Sequence, residues 1–219
     1  MELATAQSGG DFTLPPPGMH RAICYRFLDL GTQEVEWKGE TKHQRKVSLA
    51  FELVDEIDEF EWEGNQVKRP FSVHARFTWS MHEKGNLRPF LESWRGKGFS
   101  DSDLEPGGFD AKNLVGAPCY LNVIHNESNG RTYANIKAIT PLPKTAKEGM
   151  PMPHNEQVYC SLQEDRFSWD VFNALHEKTQ ATIQRSPEYR KIAGVVDDAP
   201  QTNGAPPPSD GDMDDEIPF

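Results

Sequence analysis

Arg45-Lys46-Val47-Ser48-Leu49-Ala50-Phe51-Glu52-Leu53-Val54 alternates without a break. Successive side chains of an extended chain point to opposite sides, so Val47, Leu49, Phe51 and Leu53 share one face and Lys46, Ser48, Ala50 and Glu52 the other. The stretch reads as a half-buried strand and makes the fold mainly β. The same period returns from Phe71 to Trp79, where Phe71, Val73, Ala75 and Phe77 oppose Ser72, His74, Arg76 and Thr78. Between the two, Glu63-Gly64-Asn65 carries a hairpin signal. Upstream, His20 to Leu28 is extended in character, and Gly31 is expected to end it. Downstream, Cys119 to Ile124 and Thr132 to Thr140 are two more strands, joined across Asn129-Gly130, a strong hairpin dipeptide.

One helix separates the third strand from the fourth. Asn86 is its expected N-cap, Phe90, Leu91 and Trp94 recur at helical spacing, and Gly96 and Gly98 stop it. The loop-like stretch from Ser100 to Gly116 offers Asp110 as the cap of a turn. Three strands, a helix and two strands is the order of an OB-fold barrel. The expectation is an OB-fold-like five-stranded barrel over residues 19–140.

The flanks differ in composition. Residues 1–18 are rich in Gly, Ser and Pro and read as a flexible arm. Pro141, Pro143, Pro151 and Pro153 mark 141–166 as a linker or a segment running over the barrel surface. In 167–194, Ser168 is a good N-cap, Phe167 and Phe172 are spaced as a hydrophobic staple, and Asp170 complements the helix dipole. A second short turn starts at Ser186-Pro187 and carries Tyr189 and Ile192. Its apolar residues suit packing back on the barrel, with a dimer or partner contact as the alternative. Residues 195–219 are disordered by composition.

The chain has 219 residues, 36% of them hydrophobic and 26% charged, with a net charge of −11. Seven acids and no Lys or Arg lie from Val195 onward, so the body carries about −4. Asp55, Glu56, Asp58, Glu59, Glu61 and Glu63 form a second acidic cluster, and without them the remainder is about +2. Local positive charge is thus available for a polyanion. Cys24, Cys119 and Cys160 are odd in number and far apart, so no disulfide framework is expected. Neither a signal peptide nor a membrane span is expected. The acidic cluster lacks EF-hand spacing, no paired Cys or His ligand motif occurs, and Gly96-Lys97-Gly98 is not a P-loop. No metal, cofactor or catalytic residue is expected, and the chain does not read as an enzyme.

The last residues, Met213-Asp214-Asp215-Glu216-Ile217-Pro218-Phe219, close on an aromatic after a run of acids. They resemble the acidic tip of bacterial single-stranded DNA-binding proteins (SSBs), with Glu216 where that family usually has Asp. In that family the tip docks replication, recombination and repair proteins. The resemblance assigns Asp214, Asp215, Glu216, Ile217, Pro218 and Phe219 to protein docking. The rest of the chain is more similar to the SSBs that bacteriophages encode, through Asp29-Leu30-Gly31-Thr32-Gln33 and Gln44-Arg45-Lys46-Val47.

The resemblance implies sequence-independent binding of single-stranded DNA in the cytoplasm of an infected bacterial host. Partners would be host or phage replication, recombination and repair enzymes, and a homo-oligomer is a further expectation. A phage strand-annealing protein, or a decoy that occupies host SSB-docking pockets without binding DNA, are the alternatives. Such binding needs aromatic faces for bases and cations for phosphates on one surface. Trp37, with Lys38, Lys42 and Arg45 in the loop expected before the second strand, is the leading strand-gripping element. Lys46 is expected to face outward with Ser48, and His74 and Arg76 likewise. Tyr120, Tyr133 and Lys137 on the last two strands, and Tyr25 on the first, complete the candidates.

Overall fold

In the computed structural model, residues 13–62, 65–128 and 130–195 are described, as are all their side chains except those of Trp37, Phe60, Glu61 and Trp62. Six strands form one sheet: β1 (Gly18–Trp37), β2 (Glu40–Trp62), β3 (Asn65–Thr78), β4 (Pro118–Ser128), β5 (Arg131–Pro141) and β6 (Val158–Cys160). Its order is β3-β2-β1-β4-β5, antiparallel throughout, with β6 parallel to β1. β4 pairs with Gly18 to Ile23 of β1, and β6 with Arg26 to Leu28 farther along the same strand. The expected closed barrel of five strands is corrected here: β3 and β5 approach one another without pairing, and the sheet stays open between them.

Helix α1 (Leu87–Arg95) fills part of that gap. Its Leu87, Leu91 and Trp94 are buried, Phe90 lies 4.7 Å from Phe77 and Trp94 5.3 Å from Phe51 between ring centroids. Trp94 Nε1 donates to the Pro118 carbonyl, and Ser93 Oγ to that of Ile139. Asn86 occupies the N-cap position, but its side chain makes no capping hydrogen bond and its backbone is already helical, contrary to the sequence expectation. Gly96 ends the helix at φ 69° as expected, a left-handed conformation that glycine adopts without a Cβ clash. A short helix α2 (Asp101–Leu104) follows, and then a 3-10 turn, Ala111–Leu114, which Asp110 caps by accepting from Lys112 N–H.

The alternation of β2 holds, yet its consequence does not. Val47, Leu49, Phe51 and Leu53 enter the core as read, while Lys46, Ser48, Ala50 and Glu52 on the other face are buried too. At Glu52 the cause is the C-terminal third of the chain. Glu52, 1% exposed, accepts from the backbone N–H of His154 and Asn155 at 2.8 and 2.9 Å and from Asn155 Nδ2 at 2.7 Å. The Pro-rich segment is thereby fastened to the sheet, and it contributes α3 (Lys144–Lys147) as well as β6.

Helices α4 (Trp169–Asn173), α5 (Glu177–Gln184) and α6 (Pro187–Ile192) then form a second apolar layer. Phe172, Leu175 and Ile183 bury Leu28 and Leu30 of β1. Ser168 caps α4 and Ser186 caps α6, and Phe167 lies 6.0 Å from Phe172, the staple geometry. Thr32 donates from N–H and Oγ1 to Glu188, and Gln33 Nε2 to the Thr182 carbonyl. Among the described residues no helix is long and apolar enough to cross a membrane.

Gly31 does not end β1. It sits at a bulge between Asp29 and Gly31, at φ 70°, and the strand runs on to Trp37. A Cβ there would lie 2.3 Å from Ser186 Cβ and 3.0 Å from a Glu188 carboxylate oxygen. Gly31→Ala is therefore expected to cost on the order of 2–4 kcal/mol, from the left-handed backbone and the collision together. Hydrogen exchange should show the loss concentrated in 167–194; unchanged protection of those helices would contradict the packing described.

Candidate nucleic-acid interface

The outer face of β2 carries small side chains where β1 and β3 carry large ones. In register, Arg26 of β1, Ala50 of β2 and His74 of β3 form one row, and Leu28, Ser48 and Arg76 the next. Flanking strands lie two spacings apart, about 9–10 Å, so long side chains on β1 and β3 can converge over Ala50 and Ser48. A trough results, with Thr179 and Thr182 of α5 on one side and Tyr133 and Asn135 of β5 on the other.

It runs as two contiguous lobes that share Leu30, His74, Arg76, Tyr133 and Asn135. One lobe, of about 600 Å³, extends past Tyr25, Arg26 and Phe71 to Asp58 and Arg69 in the β2–β3 hairpin and to Pro15 of the arm. The other, of about 890 Å³, reaches Lys46, Lys137 and Phe90 and ends between the β1–β2 and β4–β5 hairpins at Glu34 and Glu127. Because β3 and β5 do not pair, the floor of this lobe opens onto Phe77, Phe90 and Ile136. Two histidines hold the arm against the sheet: His20 and His125 each bond through Nε2, at 2.8 Å, to the carbonyls of Pro16 and Pro15 respectively.

Tyr25, Lys46, His74, Arg76, Tyr133 and Lys137, scattered in the sequence, thus line one groove. Lys46 does so from a buried position, donating from Nζ to Thr78 Oγ1 at 2.9 Å, instead of standing free in solvent as expected. Tyr120 lies elsewhere, on β4 opposite Arg21. Arg45 makes a two-point ion pair with Asp29, its Nη2 donating at 2.5 Å and its Nε at 3.2 Å, and that carboxylate raises its pKa. The loop expected around Trp37 is a two-residue turn, Lys38-Gly39, both at positive φ, between directly paired Trp37 and Glu40. Lys38 and Lys42 are exposed on that hairpin. Asp214 to Phe219 lie outside the described residues.

Arg26 is the groove residue that sequence reading missed. Counting by twos from Ala22 and Cys24 puts it in the core, but β1 bulges between Cys24 and Arg26 and turns it outward. An arginine at a core position of the count was the available signal. Phe90 was assigned to helix packing alone, yet it also faces the groove.

The acidic cluster is partly neutralised away from the groove floor: Asp55 pairs with Arg21, Glu56 with His20 and Glu59 with Lys68. Burial pushes the Cys24 and Cys160 thiols up to about 12, where they are unreactive. No group of His, Cys, Asp and Glu among the described residues is placed to hold a metal ion. No protein-family profile matches this chain, and no curated protein matches it.

His74 reports the electrostatics of the site. Its ring has solvent at the groove mouth but is crowded by the walls, and this desolvation, with Arg26 and Arg76 nearby, lowers its pKa from 6.5 to about 4. The folded state therefore refuses a proton that the unfolded chain binds, and stability falls as pH drops from about 6.5 toward 4. Urea denaturation at pH 7 and pH 5 should show a smaller loss for His74→Gln than for the unaltered protein. Equal losses would mean that folding does not depress the His74 pKa.

Proposed function

We propose that this protein binds single-stranded DNA without sequence preference in the groove between α5 and β5, acting as an SSB of the bacteriophage kind. The observation that carries the reading is the convergence of Tyr25, Arg26, His74, Arg76, Tyr133 and Lys137 on one open-ended trough. Bases have a π-face whatever their identity, so aromatic walls accept any sequence, and the cations neutralise phosphates as the strand runs through. Open ends suit a continuous polymer, as a closed pocket would not.

The strand order supports an OB-like fold. The meander β1-β2-β3, the helix before β4 and the approach of β5 to β3 are the parts of such a barrel, left unpaired at one seam. In that fold the outer face of the second and third strands, between the first and last hairpins, is the nucleic-acid platform. The acidic segment Asp214 to Phe219 recruits replication, recombination or repair proteins, its charge steering it to basic docking surfaces. The protein protects exposed strands and brings those enzymes to them.

Fluorescence titration with oligo-dT across a salt series tests the groove. Tyr133→Ala is expected to weaken binding by about 1–3 kcal/mol, the worth of one stacked base. Arg76→Ala should reduce the steepness of the salt dependence by about 0.7 in the log–log slope, one phosphate contact fewer. Tyr120→Ala, outside the groove, should bind as the parent does. Losing affinity through Tyr120 and not through Tyr133 would move the site to another face.

A further inference from the structure

Positive charge in the groove is concentrated over the small side chains of β2. Arg26 and His74 flank Ala50, and Arg76 follows beside Ser48. The Arg26 guanidinium lies 5.6 Å from the Tyr25 ring centroid, and its Nε is buried without a hydrogen-bond partner among the described residues. A buried guanidinium N–H without an acceptor is costly, and an arriving oxyanion toward which the guanidinium turns relieves that cost with a charge-assisted bond. Resting on the single-strand reading above, we propose that Arg26, His74 and Arg76 form the phosphate anchor of the groove. One phosphodiester lies over Ala50 and draws a proton onto His74 as it binds.

The groups around His74 set the sign of the coupling. Arg26 of β1 and Arg76 of β3 act on the ring, Lys46 of β2 and Lys137 of β5 line the groove farther along, and all four are cations; Tyr133 is the phenol of β5. Among the described residues, the C-terminal segment contributes uncharged groups to the groove, Asn155, Thr179 and Thr182. Carboxylates stand toward the ends, Asp58 beside Arg69 at one and Glu34 with Glu127 at the other, while Glu52 is held by His154 and Asn155. In the free protein, crowding that desolvates the ring, together with Arg26 and Arg76, favours the neutral imidazole. A phosphodiester adds a full negative charge at contact and reverses the balance, so binding takes up a proton and tightens as pH falls. One proton changes affinity by at most about tenfold per pH unit.

The test is oligo-dT affinity at pH 7.5 and 6.0 at fixed ionic strength, together with NMR titration of the His74 ring with and without the strand. Affinity is expected to rise several-fold at the lower pH, and the bound His74 to titrate at higher pH than the free one. His74→Gln should lose most of the pH dependence. A peptide nucleic acid of the same base sequence offers bases without phosphates and should leave the His74 titration unmoved. Three results would each overturn the anchor while leaving the groove intact: oligo-dT binding with His74 unmoved, a pH dependence that survives His74→Gln, or a shift that the peptide nucleic acid reproduces. No oligo-dT binding at low salt would remove the anchor and the single-strand reading together.

Discussion

Asp29 brings a carboxylate to 5% exposure and makes that position tenable with four N–H donors. Gly31 and Leu162 donate from the backbone, and Arg45 donates from Nε and Nη2. These bonds join β1 to β2 and to the chain just after β6. Breaking a buried ion pair by removing one partner typically costs about 3–5 kcal/mol, since the other charge stays behind unpaired. The bulge that lets Gly31 reach the same carboxylate also turns Gly31 toward Ser186 and Glu188. Docking of the C-terminal helices follows from it, and those helices decide which part of the outer sheet is covered. What they leave open, between α5 and β5, is the groove.

A chain of net charge −11 can present such a groove because its acids lie at the groove ends or away from it. Several are held by partners, Asp29 by Arg45 and Asp55 by Arg21, and Glu52 by backbone amides. Seven more lie from Val195 onward, away from the sheet in sequence. Of these, the exposed Arg21–Asp55 pair adds little stability. The effect of these pairings is on placement, which leaves Arg26, His74 and Arg76 beside Ala50 and Ser48.

Elements whose cause is local were legible in the sequence. The alternation of Val47 to Leu53 and of Val73 to Phe77, the Gly96 stop and the Ser168 and Ser186 caps each depend on neighbours within a few residues. What was not legible depends on distant chain. Glu52 is buried by backbone amides more than a hundred residues later, and no parity count on β2 contains that. Arg26 went unnamed because a bulge shifts the count by one and turns it outward, and bulges are set by the partner strand. Gly31 read as a strand end for the same reason. The groove itself was legible only in pieces: Tyr133 and Arg76 were nameable as outward residues, but their meeting needs the β3–β5 seam. Arg45 looked like a free cation until Asp29 was seen beside it.

The central claim is that single strands lie in the trough between α5 and β5. The most direct measurement is photo-cross-linking of an oligo-dT carrying 5-iododeoxyuridine, followed by mass spectrometry of the linked peptides. The account predicts links at Tyr133, Tyr25, Phe71 or Phe90, from the two walls and the open floor. Links confined to Tyr120 or to the aromatic residues of α4 and α6, or none with the strand in saturating excess, would contradict it.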